Sequence, residues 1–256
     1  MTERIGRIIF ALAIVAIGIT SLIWAKASVM FVRGHPAVPI MPYPPAIPAL
    51  AILLGIAMIA CGILMIQPRT ARLGAVSFAI IFLLSALIFG LPRVATHVAN
   101  IPLRTIFLQP LTLAALAWML PAADLPSDWR MAVARYVIAI SLIVYGVDHF
   151  LALNGISALV PSWMPFHVFW AVFFGLAFIV AGLSFATNLL RGWAAAGLAL
   201  MFAIFDLTLH IPSALGAYGV PGAIRDPDQW CSIFIVAALC GGFFALATFS
   251  NRKIAA

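Results

Sequence analysis

The run PALAILLGIAMIACGILMI, from Pro48 to Ile66, holds no charged residue, and its reading decides the fold. A helix needs about 20 apolar residues to cross the hydrocarbon core of a bilayer, and this run has that length. Runs of the same kind recur near Ile5–Trp24, Gly74–Phe89, Leu103–Leu120, Met131–Leu151, Phe166–Ala186, Gly192–His210 and Cys231–Phe249. Pro110 interrupts the fourth, which a packed membrane helix tolerates. The 256 residues are 65% hydrophobic and 8% charged, against roughly 45–50% apolar and about 25% charged in soluble domains. Eight spans use nearly the whole apolar inventory, so the expected fold is all-α, a polytopic membrane protein with no large soluble domain.

The net charge of +7 is scattered through short connections instead of gathered on one face, which points to membrane topology and away from nucleic acid. An N-terminus in the cytoplasm places Arg4, Arg7, Arg69, Arg72, Arg130, Arg135, Arg191, Arg252 and Lys253 inside, and leaves Lys26, Arg33, Arg93, Arg104 and Arg225 outside. Short cytoplasmic connections carry the positive excess, so a multi-pass protein of the cell inner (plasma) membrane with both termini in the cytoplasm is expected. Trp24, Tyr43, Trp163, Trp170 and Trp230 then mark the outer interface, and Trp118, Trp129, Tyr136 and Trp193 the inner one. Cys61, Cys231 and Cys240 form no CxxC pattern, which gives disulfide, zinc-finger and c-type haem readings no support.

The chain also repeats. A shift of 128 places Arg7 on Arg135 and Gly18 on Gly146. A shift of 120 places Pro45 on Pro165, Gly55 on Gly175, Gly62 on Gly182, Pro92 on Pro212 and Gln109 on Gln229. The expected organisation is therefore two tandem four-helix repeats, residues 1–125 and 126–256, entering the membrane in the same direction. Arg4, Arg7, the first apolar run and Ala25-Lys26-Ala27 also resemble a signal peptide with its cleavage site. The retained fifth helix is the counterpart of the first, and favours retention of the first as well. Gly55/Gly62, Gly175/Gly182 and the stripe Gly192, Ala195, Ala196, Ala199 and Ala203 read as helix-packing surfaces. Six prolines between Pro36 and Pro48 make His35 to Pro48 a stiff extended loop, with Pro48 in the first turn of the second helix.

Ionisable groups within membrane spans are functional candidates. Here they are Asp148, His149, Asp206 and His210, with His167 at an interface, all in the second repeat. Their counterparts in the first are Thr20, Ser21, Ala86, Gly90 and Ile47. Tyr145 and His149 are four apart, as are Asp206 and His210, so each pair shares a helix face. A cluster of Tyr145, Asp148, His149, His167, Asp206 and His210, with Arg225 from the next loop, is expected beneath the outer surface. A His beside a carboxylate can pass protons or hydrogen-bond a quinone. A His pair on facing helices can ligate haem or a metal, though no spacing demands it. The structural alternative is that Asp206 and His210 pair with each other or with Arg225 and lock the bundle. There is no Walker A run, dinucleotide fingerprint, HExxH or GxSxG. Nor do two spans look broken at matching mid-membrane positions, as in many secondary transporters.

Arg135, Tyr145-Gly146-Val147-Asp148-His149-Phe150, Val160-Pro161-Ser162-Trp163-Met164-Pro165, Phe169-Trp170, Gly175, Gly182 and His210 resemble the DoxX-like membrane proteins. The likeness covers about residues 130 to 250 and reaches the first half only through the repeat. It implies a four-helix unit with a His ending its first helix and another near the outer end of its third. It also implies a quinone or redox neighbourhood, since relatives include small subunits of quinol oxidase and thiosulfate:quinone oxidoreductase assemblies. This chain departs from the pattern in carrying two fused units, with Ser21 where the first unit would place its His. The leading expectation is an accessory or quinone-interacting component of a redox system, working with redox-complex subunits, in which His149 or His210 bonds the quinone and Asp206 relays its proton. The alternatives are a small-solute or ion carrier coupled through Asp206, and a membrane scaffold without catalysis.

Overall fold

The computed structural model describes residues 2–25, 29–30, 38–39, 48–120, 129–219 and 222–252. Eight helices in it are long and apolar enough to cross a membrane. They are α1 Thr2–Trp24, α2 Pro48–Ile66, α3 Ala71–Thr96, α4 Ile101–Met119, α5 Trp129–Leu151, α6 His167–Thr187, α7 Arg191–Ala214 and α8 Pro227–Arg252. Pro48 opens α2 as expected, and Pro110 lies buried inside a continuous α4. A short helix, Leu153–Leu159, follows α5. Within the stretch expected to be extended, Val38–Pro39 pairs antiparallel with Val29–Met30, Val29 opposite Pro39. The remainder of His35 to Ile47 lies outside the described residues.

Each helix packs on its neighbours in sequence, and α8 returns to pack along α1, so the eight form a closed ring. α4 and α8 also touch each other and are the most enclosed spans. The shared core is aromatic and aliphatic. Phe10 meets Phe78 edge-on at 5.6 Å, and Phe243 of α8 stacks on Phe202 at 5.8 Å and meets Phe185 at 5.9 Å. Leu53, Ile63, Val180, Leu200 and Leu207 point outward and are exposed. A rim of that kind would be a large apolar patch in water and is the natural lipid-facing surface of a membrane bundle.

Glycines set the closest helix approaches. A Cβ on Gly18 would stand 2.6 Å from the Gly55 carbonyl, and one on Gly146 2.6 Å from the Gly175 carbonyl. Gly62 lies against the Ala11 carbonyl and Gly182 against the Ala139 carbonyl in the same manner. Where lipid supplies no hydrophobic drive, such backbone proximity lets dispersion contacts hold helices together. On α7 the small-residue stripe is only partly interior: Gly192, Ala195 and Ala199 are buried, but Ala196 is exposed. The expected run of five is thus narrower, because residues four apart drift around a helix that turns every 3.6 residues.

α3 and α7 are not uniform α-helices. Ala86–Gly90 and Asp206–His210 wind as π-helix, and the amides of Leu91 and Ile211 reach back five residues to Ala86 and Asp206. Each segment is followed by a proline, Pro92 and Pro212. Proline has no N–H to give and its ring collides with the carbonyl four residues back, so the wider π turn makes room for it. Sequence pattern offered no broken pair of spans; the chain instead carries two continuous spans with matching changes of winding.

Candidate functional site

α5 and α7 finish at the same end of the bundle, and the polar side chains gather there. Asp148 lies in the last turn of α5, 4% exposed. Its partner is Arg104 in the first turn of α4, which closes on the carboxylate with Nη2 on Oδ1 and Nε on Oδ2 at 3.3 Å. The third guanidinium arm donates to the Val98 carbonyl at 2.9 Å, so Arg104 also fastens the α3–α4 connection. A buried carboxylate needs this kind of partner, since an uncompensated charge in an apolar interior is costly. α4 starts firmly there: the Asn100 side chain accepts from the Leu103 amide at 3.1 Å, and Pro102 occupies the first turn.

One turn before Asp148, the Tyr145 ring is packed between helices and lies beside Thr112 of α4. His149 turns toward α6 instead, with its ring 5.2 Å from that of Phe178. Its Nδ1 lies 2.7 Å from the Tyr145 carbonyl. A carbonyl can only accept, so Nδ1 carries the hydrogen. Nε2 of a neutral His149 is then an acceptor, and no hydrogen bond reaches it among the described residues.

Asp206 and His210 bracket the π segment of α7, each 8% exposed. Asp206 Oδ1 is buried without a hydrogen-bond partner, and on α8 the Cys240 thiol lies within range of its charge. Among the described residues no hydrogen bond or ion pair joins Asp206 to His210, to His149 or to Arg225. Arg225 is itself exposed, in the single turn Ala223–Arg225. His167 begins α6, half-buried, and makes no bond to the other members. The structure therefore keeps Tyr145, Asp148 and His149 on the last turns of α5 but turns them to different partners, Asp148 to Arg104 and His149 to Phe178, and sets Asp206 and His210 apart on α7. Phe178 and Phe202, 6.0 Å apart, carry the packing from His149 across to α7.

A second polar group lies along the first turns of α8, where it meets α1 and the end of α7. Thr20 Oγ1 is 3.1 Å from Cys231 Sγ, Ser213 donates to Gln229 Oε1 at 3.0 Å, and Ser232 bonds the Asp228 carbonyl at 2.8 Å. All are buried. In the sequence Gln229 stands out only as a repeat match, and Arg104 as an outer charge at the start of the fourth apolar run. The signal available for Arg104 was its place at the head of an apolar run. Nothing in the pattern named Asp148, 44 positions on, as its partner. Among the described residues no three His, Cys, Asp or Glu side chains form a metal cage.

The chain shows no significant match to a protein-family model, a curated protein or a solved structure.

Proposed function

We propose that this chain is a DoxX-like protein of the plasma membrane that holds the headgroup of a quinol for a partner redox complex. The observation that carries the proposal is the tautomer of His149. With Nδ1 tied to the Tyr145 carbonyl, Nε2 is an open acceptor on a ring already held against Phe178. A quinol hydroxyl donates to such a nitrogen. The Arg104–Asp148 pair fixes the adjacent turn of α5 and neutralises its carboxylate. The phenylalanine rings of α6 supply the flat apolar surface that a quinol ring prefers.

Two tandem units, residues 1–125 and 126–256 with both termini in the cytoplasm, are part of the same proposal. In their support, the glycine approaches of α1 on α2 recur in α5 on α6, and the π segments fall 120 positions apart. On this reading the first unit is a structural half, since Thr20 and Ser21 stand where Asp148 and His149 stand in the second.

The test is to purify the protein in detergent, extract it and measure bound quinone and quinol by mass spectrometry, then titrate stripped protein with quinol. Stoichiometric quinol lost in His149→Ala and kept in His97→Ala supports the proposal. Equal quinol in all three proteins removes it.

A further inference from the structure

Asp148 and Asp206 are both buried aspartates in apolar helices, but only one has a reason to be there that folding explains. Asp148 is paired with Arg104. Asp206 has no hydrogen bond or ion pair among the described residues, and its Oδ1 is sealed from contact with water. The groups that could answer its charge are few. On its own helix His210 ends the same π segment. α6 carries no titratable residue but His167 at its start, and on α8 the neighbour is the thiol of Cys240. None is a fixed cation.

The π winding does not need the carboxylate. α3 makes the same segment with Ala86 in the place of Asp206 and Gly90 in the place of His210. Pro92 and Pro212 account for the winding in both. The carboxyl is therefore an addition to a backbone that forms without it. An isolated carboxylate in hydrocarbon is strongly disfavoured, and intramembrane acids that persist without a partner mark proton or ion paths.

We infer that the Asp206 carboxyl is a proton-binding site, which takes up and releases one H⁺ through the end of the bundle where α7 finishes. His210 stands one π turn nearer that end and is the group placed to pass the proton between Asp206 and the surface. The site is separate from the His149 region and does not depend on quinol binding.

A hydrophobic carbodiimide tests it directly. The acid proton of a protonated carboxyl moves to one carbodiimide nitrogen, the carboxylate oxygen bonds to the central carbon, and an acyl shift to nitrogen leaves a stable N-acylurea containing the whole reagent. Full-length protein in detergent is treated across a pH series, digested and mapped by mass spectrometry. The expected result is modification at Asp206 and not at Asp148, falling about tenfold per pH unit above the titration midpoint of the carboxyl. It should be lost in Asp206→Asn and in Asp206→Ala, the latter reproducing Ala86 of α3. Peptide mapping of the unsubstituted protein decides the matter even where a variant folds poorly. An unmodified Asp206 in folded protein, or modification independent of pH, overturns the inference. Protection by sodium ions also overturns it, in favour of a metal-cation site. Quinol titration on the same preparation is scored separately, so either result can fail without the other.

Discussion

Arg104 at the head of α4 grips Asp148 near the end of α5, and this pair joins the first half of the chain to the second through a charged contact. The other junction between the halves, α8 on α1, is neutral at the corresponding level, with Thr20 against Cys231. A buried ion pair contributes little beyond a well-packed apolar pair, but breaking it strands a charge. Arg104→Met or Asp148→Leu alone should therefore lower stability by about 3 kcal/mol, the low end for a broken buried pair, because the Arg104 side chain is 16% exposed. The double substitution Arg104→Met with Asp148→Leu should recover much of that loss. Thermal unfolding in detergent measures all three, and simple additivity would contradict the pairing.

Helix spacing gives a prediction with an internal control. A methyl group on Gly146 would meet Ile179 at 2.5 Å and the Gly175 carbonyl at 2.6 Å. Gly146→Ala should destabilise by about 1–3 kcal/mol through overpacking. Gly197 has nothing within 4 Å of its added Cβ. Gly197→Ala should leave the fold intact and raise stability by up to about 1 kcal/mol from helix propensity. Melting curves for the two variants should move in opposite directions.

The proline after the π segment of α7 leaves the Thr208 carbonyl without its usual donor, and the Tyr218 hydroxyl takes that place. Tyr218→Phe should cost about 1 kcal/mol. In a Pro212→Ala background, where residue 212 regains an N–H, the same change should cost close to nothing. A double-mutant cycle read by thermal unfolding detects this coupling, and equal costs in both backgrounds would show that the two residues act independently.

For His149 the pH dependence has a defined sign. The neutral ring offers Nε2 as an acceptor to a quinol hydroxyl, and the imidazolium offers it as a donor to a quinone carbonyl. Quinol affinity should fall as pH is lowered through the His149 titration, while quinone affinity rises. His149→Ala should weaken quinol by roughly 10-fold, the equivalent of one good hydrogen bond, and abolish the opposition between the two profiles. Parallel profiles for both ligands in the unsubstituted protein would exclude this role.

Eight apolar runs were readable because a bilayer demands about 20 apolar residues per span, and Pro48 and Pro110 behaved as a membrane helix permits. Less could be read of what lies between helices. Arg104 and Asp148 are far apart in sequence, and a local pattern gives no register between α4 and α5. Asp206 and His210 looked like a bonded pair at α-helical spacing, but the segment winds as π-helix and no bond joins them. Arg225 was drawn toward the cluster by its sequence position and stands exposed outside it. His149 is visible as a candidate, while the proton on its Nδ1 is fixed by the Tyr145 carbonyl that the fold places beside it.

The return of α8 onto α1 bears on how the molecule is made. A Cβ on Gly6 would fall 2.7 Å from the Gly241 carbonyl, and one on Gly241 would fall 2.6 Å from the Phe10 amide, so the two helices touch backbone to backbone. The ribosome delivers α1 before α8. Until α8 is inserted, the glycine face of α1 has only lipid or an insertion partner to cover it. Closure of the ring is thus a late event in biogenesis, governed by contacts of high sequence separation, and chains stalled before α8 should be the ones that quality control finds open.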